Sequence, residues 1–357
     1  MKRTGKLDYK SAGVDIRAAD SIVKGFGRLA RSSQKKHLKK IVPAPGGYAS
    51  LYALDRNQMI AASTDGVGTK LKLAFELDHH ESVGVDLVAM SVNDLLCVGA
   101  QPLFFLDYFA TGKLKPKTAR AVMKGIVKGC KEAGVALVGG ETAEMPGLYS
   151  KGEYDLAGFA VGMVNRRQLL QPRSIKSGDV LIGLASSGFH SNGFSLLRKL
   201  LDREPKRNRA RLAKKLLTPT KIYTAAIQPL IEERLLKAAV HITGGGFSNL
   251  ARLFADASSV RPLAFDVELP LRGRAEVFDW ISVKDVTFFE QVRTFNLGIG
   301  MILVVDQKNS SKVLQRLKRA RYKSWVIGQV VRLQALGASA TKNKRVQVCL
   351  GSQTVLI

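Results

Sequence analysis

The sequence predicts an α/β protein of two domains, and three observations predict it. Its 357 residues exceed one ordinary core and suit two. Short apolar runs alternate with longer helical patterns, as strands and helices in turn would write them. A single polar connector, 165–178, interrupts that alternation and puts the domain boundary near residue 170. The expected division is a basic N-terminal segment over 1–45, an N-terminal domain over 46–170 and a C-terminal domain over 171–357.

In chain order, the basic segment carries one helical pattern over 18–32 and a turn-rich stretch over 43–47. The N-terminal domain then reads as strand 59–63, helix 82–98, strand 103–109, helix 118–133, and strands 135–138 and 156–164. In the second half, strand 179–185 leads to a helix that starts near Ser191 or Asn192, both good N-caps, and strand 301–305 follows later. A glycine-bearing strand exit occurs once in each half, at Gly139-Gly140 and at Gly244-Gly245-Gly246, which would fit two related half-folds.

With 46% hydrophobic and 24% charged residues the chain can bury a sizeable core, and disorder is excluded as the default. No apolar run approaches the roughly 20 residues of a membrane span. The start MKRTGKLDYK lacks an apolar signal core, so a cytoplasmic, membrane-free protein is expected. Cys97, Cys130 and Cys349 are widely spaced and read as core thiols, neither a disulfide framework nor a zinc site. The net charge of +27 ordinarily points to nucleic acid or another polyanion. Its lysines and arginines concentrate in the first forty residues, in 198–221 and in 312–323, with few aromatics and no zinc-finger or RNA-recognition signature. A solvated basic surface that attracts anionic substrates is favoured over a nucleic-acid partner.

Several short runs could carry chemistry. STDGVGTK, 63–70, follows a strand, and its glycines let backbone amides approach an anion. It lacks Walker A spacing and could be only a turn. Asp65 and Lys70 on one short loop are what a magnesium-phosphate site needs. Within helix 82–98, Asp86 and Asn93 are seven residues apart on one face, where a structural hydrogen-bond network is favoured; Asp94, beside that face, is the better ligand candidate. Alternation puts Asp107 on the strand face of Leu103, Phe105 and Phe109, where it would meet either a buried cation or a metal. Glu141 and Glu144 stand at a glycine-rich strand end, the usual ligand edge of an open sheet, though taken by itself the run is better read as a solvated acidic turn. In SSGFHSNG, 186–193, a helix N-terminus would favour an anion, and His190 is either a proton shuttle or a structural hydrogen-bonder. HITGGG, 241–246, offers exposed amides suited to a phosphate or a tight turn. In RTFNLGIG, 293–300, Arg293 could contact an anion and Asn296 could support the loop.

Singly these runs are weak. In this order, STDGVGTK, VNDL, PLFFLDYFATGKL, ALVGGETAEMPGLY, DLAGFAVG, SSGFHSNGFSLLRK, HITGGG and RTFNLGIGM resemble the aminoimidazole ribonucleotide synthetase family, from Asp8 to about Val330. The resemblance implies an N-terminal mixed sheet that pairs across a homodimer, with ATP near that contact, and a C-terminal α/β sandwich closing over the substrate. It implies ATP-dependent ring closure of formylglycinamidine ribonucleotide to 5-aminoimidazole ribonucleotide, with ADP and phosphate released, and ATP and Mg2+ as cofactors. Asp65, Asp94, Asp107 and Glu141 are then the expected metal ligands. Asp65, Gly66, Gly68, Thr69, Lys70 and Asp94 would hold the nucleotide; Gly188, Ser191, Gly244, Gly245, Gly246, Arg293 and Asn296 the substrate. His190, Asn192 and Lys70 would serve the chemistry. Two stretches depart from the family: Gly46-Gly47-Tyr48-Ala49-Ser50 stands for a GGFG-like run, and 287–292 for an acidic segment.

Overall fold

The structure is a computed structural model that describes residues 13, 22, 25–26, 29–254, 262–341 and 343–357. The expected helix over 18–32 falls largely outside the described residues, as does the start of the family resemblance at Asp8; 29–34 are helical.

Thirteen strands form two sheets among the described residues. The first holds β1 (Ile41–Val42), β2 (Ser50–Ala53), β3 (Gln58–Gly66), β4 (Gln101–Thr111), β5 (Ala136–Glu144) and β6 (Tyr154–Asn165) in the order β1-β2-β3-β6-β4-β5. Only β4 and β5 run parallel, joined by the helix Pro116–Ala133. That helix has proline in its first turn and ends on Gly134 at φ 69°, the left-handed cap that glycine adopts without strain.

β6 explains the layer. Tyr154, Leu156, Ala160 and Val164 are buried on one side, while Asp155, Ala157, Phe159 and Val161 alternate toward the other. The buried side is covered by the helices Glu81–Cys97 and Pro116–Ala133, which cross where Gly84 and Gly125 face each other's backbone. The other side is open. There Tyr52, Ile60, Met163, Val161, Phe104 and Phe159 are cross-strand neighbours, none of them buried.

The second sheet holds β7 (Val180–Ala185), β8 (Leu236–His241), β9 (Leu263–Glu268), β10 (Ile299–Val305), β11 (Ser324–Arg332), β12 (Val346–Leu350) and β13 (Gln353–Leu356), ordered β13-β12-β9-β11-β7-β10-β8. β10 is buried at every position and β7 at all but one, so these two make the core of the half. Such continuous apolar strands require cover on both faces.

The domains share one interior element. The helix Glu81–Cys97 is apolar nearly all round, which buries it. One side meets β3 and β6, and another meets β8 and the helix Thr224–Glu232 of the C-terminal half. Cys97 and Cys130 are buried as expected of core thiols, whereas Cys349 is half-buried on β12.

Four local expectations change. β3 runs on to Gly66 and β5 to Glu144, so the acidic glycine-rich runs are strand ends rather than loops. A register shift between Pro102 and Phe104 turns Leu103 outward, and Asp107 shares its side with Phe105 and Phe109 alone. The helix after β7 begins at Phe194 with Gly193 as its N-cap, not at Ser191 or Asn192. A short helix, Lys70–Glu76, follows STDGVGT directly.

Candidate active site between the domains

The seam between the two sheets collects most of the polar groups singled out in the sequence. From the N-terminal side come Asp65 near the end of β3, Lys70 at the head of its helix, and Asp86, Asn93 and Asp94 on the helix Glu81–Cys97. From the C-terminal side come the 186–193 loop, the 218–223 stretch, and His241 at the end of β8.

Asp94 Oδ1 lies 2.9 Å from Nδ1 of the fully buried His241, a pair that joins the domains across 147 positions of sequence. Asp65 is close enough to feel both. Burial, then the Asp94 charge, pushes its pKa up to about 6, while the Gly66 N–H at 2.8 Å and His241 pull the other way. Two acidic groups forced together in a half-dry place are a ready seat for a cation.

Lys70 stands differently from its expected place on phosphate. Its ammonium is fully buried, 2.7 Å from Asp86 Oδ2, and donates to the carbonyls of His190 at 2.9 Å and Thr218 at 2.8 Å. A nucleotide phosphate would have to displace one of these partners. Asp86 Oδ1 in turn accepts the N–H and the hydroxyl of Thr220, both at 2.6 Å. Asn93 donates to the Lys221 carbonyl at 2.9 Å and accepts the Tyr223 N–H at 3.1 Å. The polar face of this helix is therefore a structural network that binds the domains together.

His190 is wholly buried, at φ 60°. Burial holds its pKa well below the usual histidine range, and the nearby positive groups of His241, Lys70 and Lys221 push the same way. The neutral ring accepts the Ser187 N–H at 3.4 Å through Nε2, and Nδ1 has no partner among the described residues. Nδ2 of Asn192 is likewise buried and unpartnered. The same side chain faces Gly244, where an added Cβ would lie 3.5 Å from its Oδ1.

Gly244 is exposed, Gly245 has φ 96°, and Gly246 at φ 56° sits so close to Val292 and Arg293 that a Cβ would meet the Val292 carbonyl at 2.1 Å. The N–H groups of Gly244 and Gly245 take no acceptor among the described residues, while Gly246 donates to Thr243 and opens the helical turns Gly246–Phe254. That is an anion-binding turn in form. Arg293 is half-buried beside it, its guanidinium 5.3 Å from the Phe289 ring. Ser191 bonds Thr220 at 3.1 Å, and Thr69 bonds Ser195 at 3.1 Å across the seam. Gly68, at φ 67°, is the turn that brings Thr69 there.

Three further expected site positions stand apart from the seam's carboxylates. Asn296 supports the loop, as read from the sequence, donating to Gly188 O at 2.9 Å and accepting from Ser186 and Gly298, and Gly188 is buried. Asp107 lies against Gly140, where any Cβ would fall 2.4 Å from its Oδ1, and burial raises its pKa with no ion pair made among the described residues. Glu141 is exposed opposite Tyr108, on the other side of the sheet from Asp107. Asp65, Asp94, Asp107 and Glu141 are thus no single cage, and among the described residues no three acidic, histidine or cysteine side chains converge on one metal position.

Sequence reasoning missed Tyr48 and Arg252 and left His241 inside a motif without a role. Gly46 and Gly47 turn at φ 61° and 62°, laying Tyr48 on the seam with its hydroxyl 3.4 Å from His241 O. Arg252 covers that ring at 4.2 Å and donates to Gly47 O at 2.8 Å. The departure from a GGFG-like run was the one available signal.

Residues 46–164 match the family model for AIR synthase related protein, N-terminal domain, and 176–339 that for the C-terminal domain. The phosphoribosylformylglycinamidine cyclo-ligase of Thermoanaerobacter sp. (strain X514) is 46% identical over 338 residues, 91% of this chain and 98% of that one. The chloroplastic cyclo-ligase of Arabidopsis thaliana is 45% identical over 337 residues, 92% and 82% of the two chains. Among solved structures, hydrogenase maturation protein HypE in complex with ATP aligns at TM-score 0.62 and 18% identity, covering 88% of this chain and 89% of that one. T. maritima PurL complexed with ATP aligns at TM-score 0.58 and 18% identity, covering 90% and 47%, a likeness of fold. No helix among the described residues is long and apolar enough to cross a membrane.

Proposed function

The chain belongs to the AIR synthase family through both of its domains and is a ligase of the cyclo-ligase type; from that premise we propose that it closes formylglycinamidine ribonucleotide to 5-aminoimidazole ribonucleotide with ATP, in purine biosynthesis. The observation that carries the reading is the seam. Asp65 and Asp94 of one domain stand by His241 of the other, where the glycine turn with its free N–H groups begins, and that turn lies against Asn192 with its unpartnered amide.

The formyl oxygen is a poor leaving group. ATP transfers its terminal phosphoryl to that oxygen, the amidine nitrogen attacks the same carbon, and phosphate departs as the ring forms. Such chemistry needs positioning and charge neutralisation more than covalent help from the protein. Gly66, Gly68 and Thr69 line the nucleotide side. The Gly244 and Gly245 amides, with Arg293 and Ser191, take the substrate phosphate. Asn192 Nδ2 donates to the reacting group, and His190 fixes the loop that carries it.

Asp65 and Asp94 fit Mg2+, because a bound cation would relieve their mutual repulsion and the raised Asp65 pKa. When bound, the ion would supply charge neutralisation at the phosphates. The open apolar face of the first sheet supports a homodimer through that face. We place the protein in the cytoplasm.

The direct test is ADP release by the purified protein with Mg2+, with and without formylglycinamidine ribonucleotide, alongside detection of the aminoimidazole product. Substrate-dependent ADP matched by ring product is expected. A folded protein giving neither would sink the cyclo-ligase reading.

A further inference from the structure

We infer that Lys70 and Asp86 form a two-armed clamp between the domains, which sets the 186–193 loop against the carboxylates Asp65 and Asp94 and does not bind phosphate. The inference rests on the proposed function only for what the loop is positioned to do. Each arm starts on the same element or adjoining stretch as one of those carboxylates. Lys70 lies five residues beyond Asp65, and Asp86 lies on the same helix as Asp94, eight residues or about 12 Å earlier.

Each arm also ends on the loop. Lys70 Nζ holds the His190 carbonyl at 2.9 Å, at a residue whose φ of 60° is unusual for a side chain of that size. Asp86 holds Thr220 by two bonds of 2.6 Å, and the Thr220 hydroxyl holds Ser191 at 3.1 Å. Adjacent residues of the loop are therefore gripped from both sides. The next residue is Asn192, with its buried and unpartnered Nδ2.

A buried ion pair is a poor device for stability alone, since well-packed apolar side chains serve as well or better. What the charges add is direction. Lys70 and Asp86 are wholly out of solvent, and their side-chain hydrogen bonds other than to each other run to His190 and the 218–220 segment of the other domain, with the Phe194 ring 5.4 Å from the ammonium. Both are positioning residues.

The test is the full-length double variant Lys70→Met with Asp86→Asn, which keeps the net charge of the site. Calorimetry with a non-hydrolysable ATP analogue and Mg2+ reads nucleotide affinity; steady-state kinetics read kcat and KM; amide exchange reads 186–193 and 218–220. The clamp predicts analogue affinity within threefold of the parent, kcat lower by a hundredfold or more, and exchange at those amides at least tenfold faster. A tenfold loss of analogue affinity with unchanged exchange overturns it in favour of a phosphate site, and kcat within threefold of the parent overturns it outright. Should the double variant not fold, Thr220→Val removes one arm's hydroxyl and keeps its N–H. An approximately tenfold fall in kcat at unchanged analogue affinity supports the clamp, and unchanged kcat overturns it. If the parent turns over no formylglycinamidine ribonucleotide, the functional reading fails by itself, and exchange with analogue affinity still decides the clamp.

Discussion

Asp65 shows how much one residue's chemistry depends on its setting. Its folded pKa, up at about 6, exceeds the ordinary 3.8, so the folded chain binds that proton more tightly than the unfolded one. The stability this contributes is present below about pH 4 and is lost as pH rises through 6, by at most about 3 kcal/mol. Asp65→Asn is therefore expected to flatten the pH 4–7 part of the melting profile measured without Mg2+; a profile as steep as the parent's would remove the assignment. Asp94→Asn is expected to lower kcat by about a hundredfold or more while the melting temperature moves by only a few degrees, and normal turnover would end its metal role. At this scale the sequence was half readable. Asp86 and Asn93 announced a network because polar groups in an apolar helix must be paired. Lys70 misled because an ammonium beside glycines suits a phosphate and a carboxylate equally. His241 gave no local sign, since its partner Asp94 is 147 positions away.

Elements meet through glycines that have no room for anything else. An added Cβ at Gly125 would fall 1.9 Å from the Glu81 carbonyl, and one at Gly84 2.3 Å from that of Val122. Backbone cannot step aside as a side chain can. Gly125→Ala should cost about 2–3 kcal/mol and lower the melting temperature by roughly 5–10 °C in a calorimetric scan. Parent-like melting would show that the helices can separate without loss. The helices themselves were plain in the sequence from their apolar spacing. The ends of strands were not, because β5 carries Gly139 and Gly140 through its pairing with β4, and a glycine pair ordinarily signals an exit. Gly140 is there for Asp107, a cross-strand reason that no local reading contains.

For the whole molecule, the presence of two domains was legible from chain length and the alternation of elements, but the burial of a single helix between both halves was not. The same scale governs association. Phe159, 43% exposed at the centre of the open sheet face, should be a dimer contact, and Phe159→Glu is expected to give monomers in sedimentation; an unchanged dimer would place the interface elsewhere. The charge of +27 should speed capture of anionic substrates, so kcat/KM ought to fall as ionic strength rises while kcat holds. Strand order in the second sheet governs how the chain is born. β7, 180–185, waits for β10 at 299–305 and β11 at 324–332 before either of its edges is paired. More than a hundred residues must leave the ribosome while VLIGLA has no strand beside it. Loop closure over that distance is expected to slow folding of the C-terminal half, to about milliseconds to seconds or longer, and to leave an apolar strand open to aggregation in that interval.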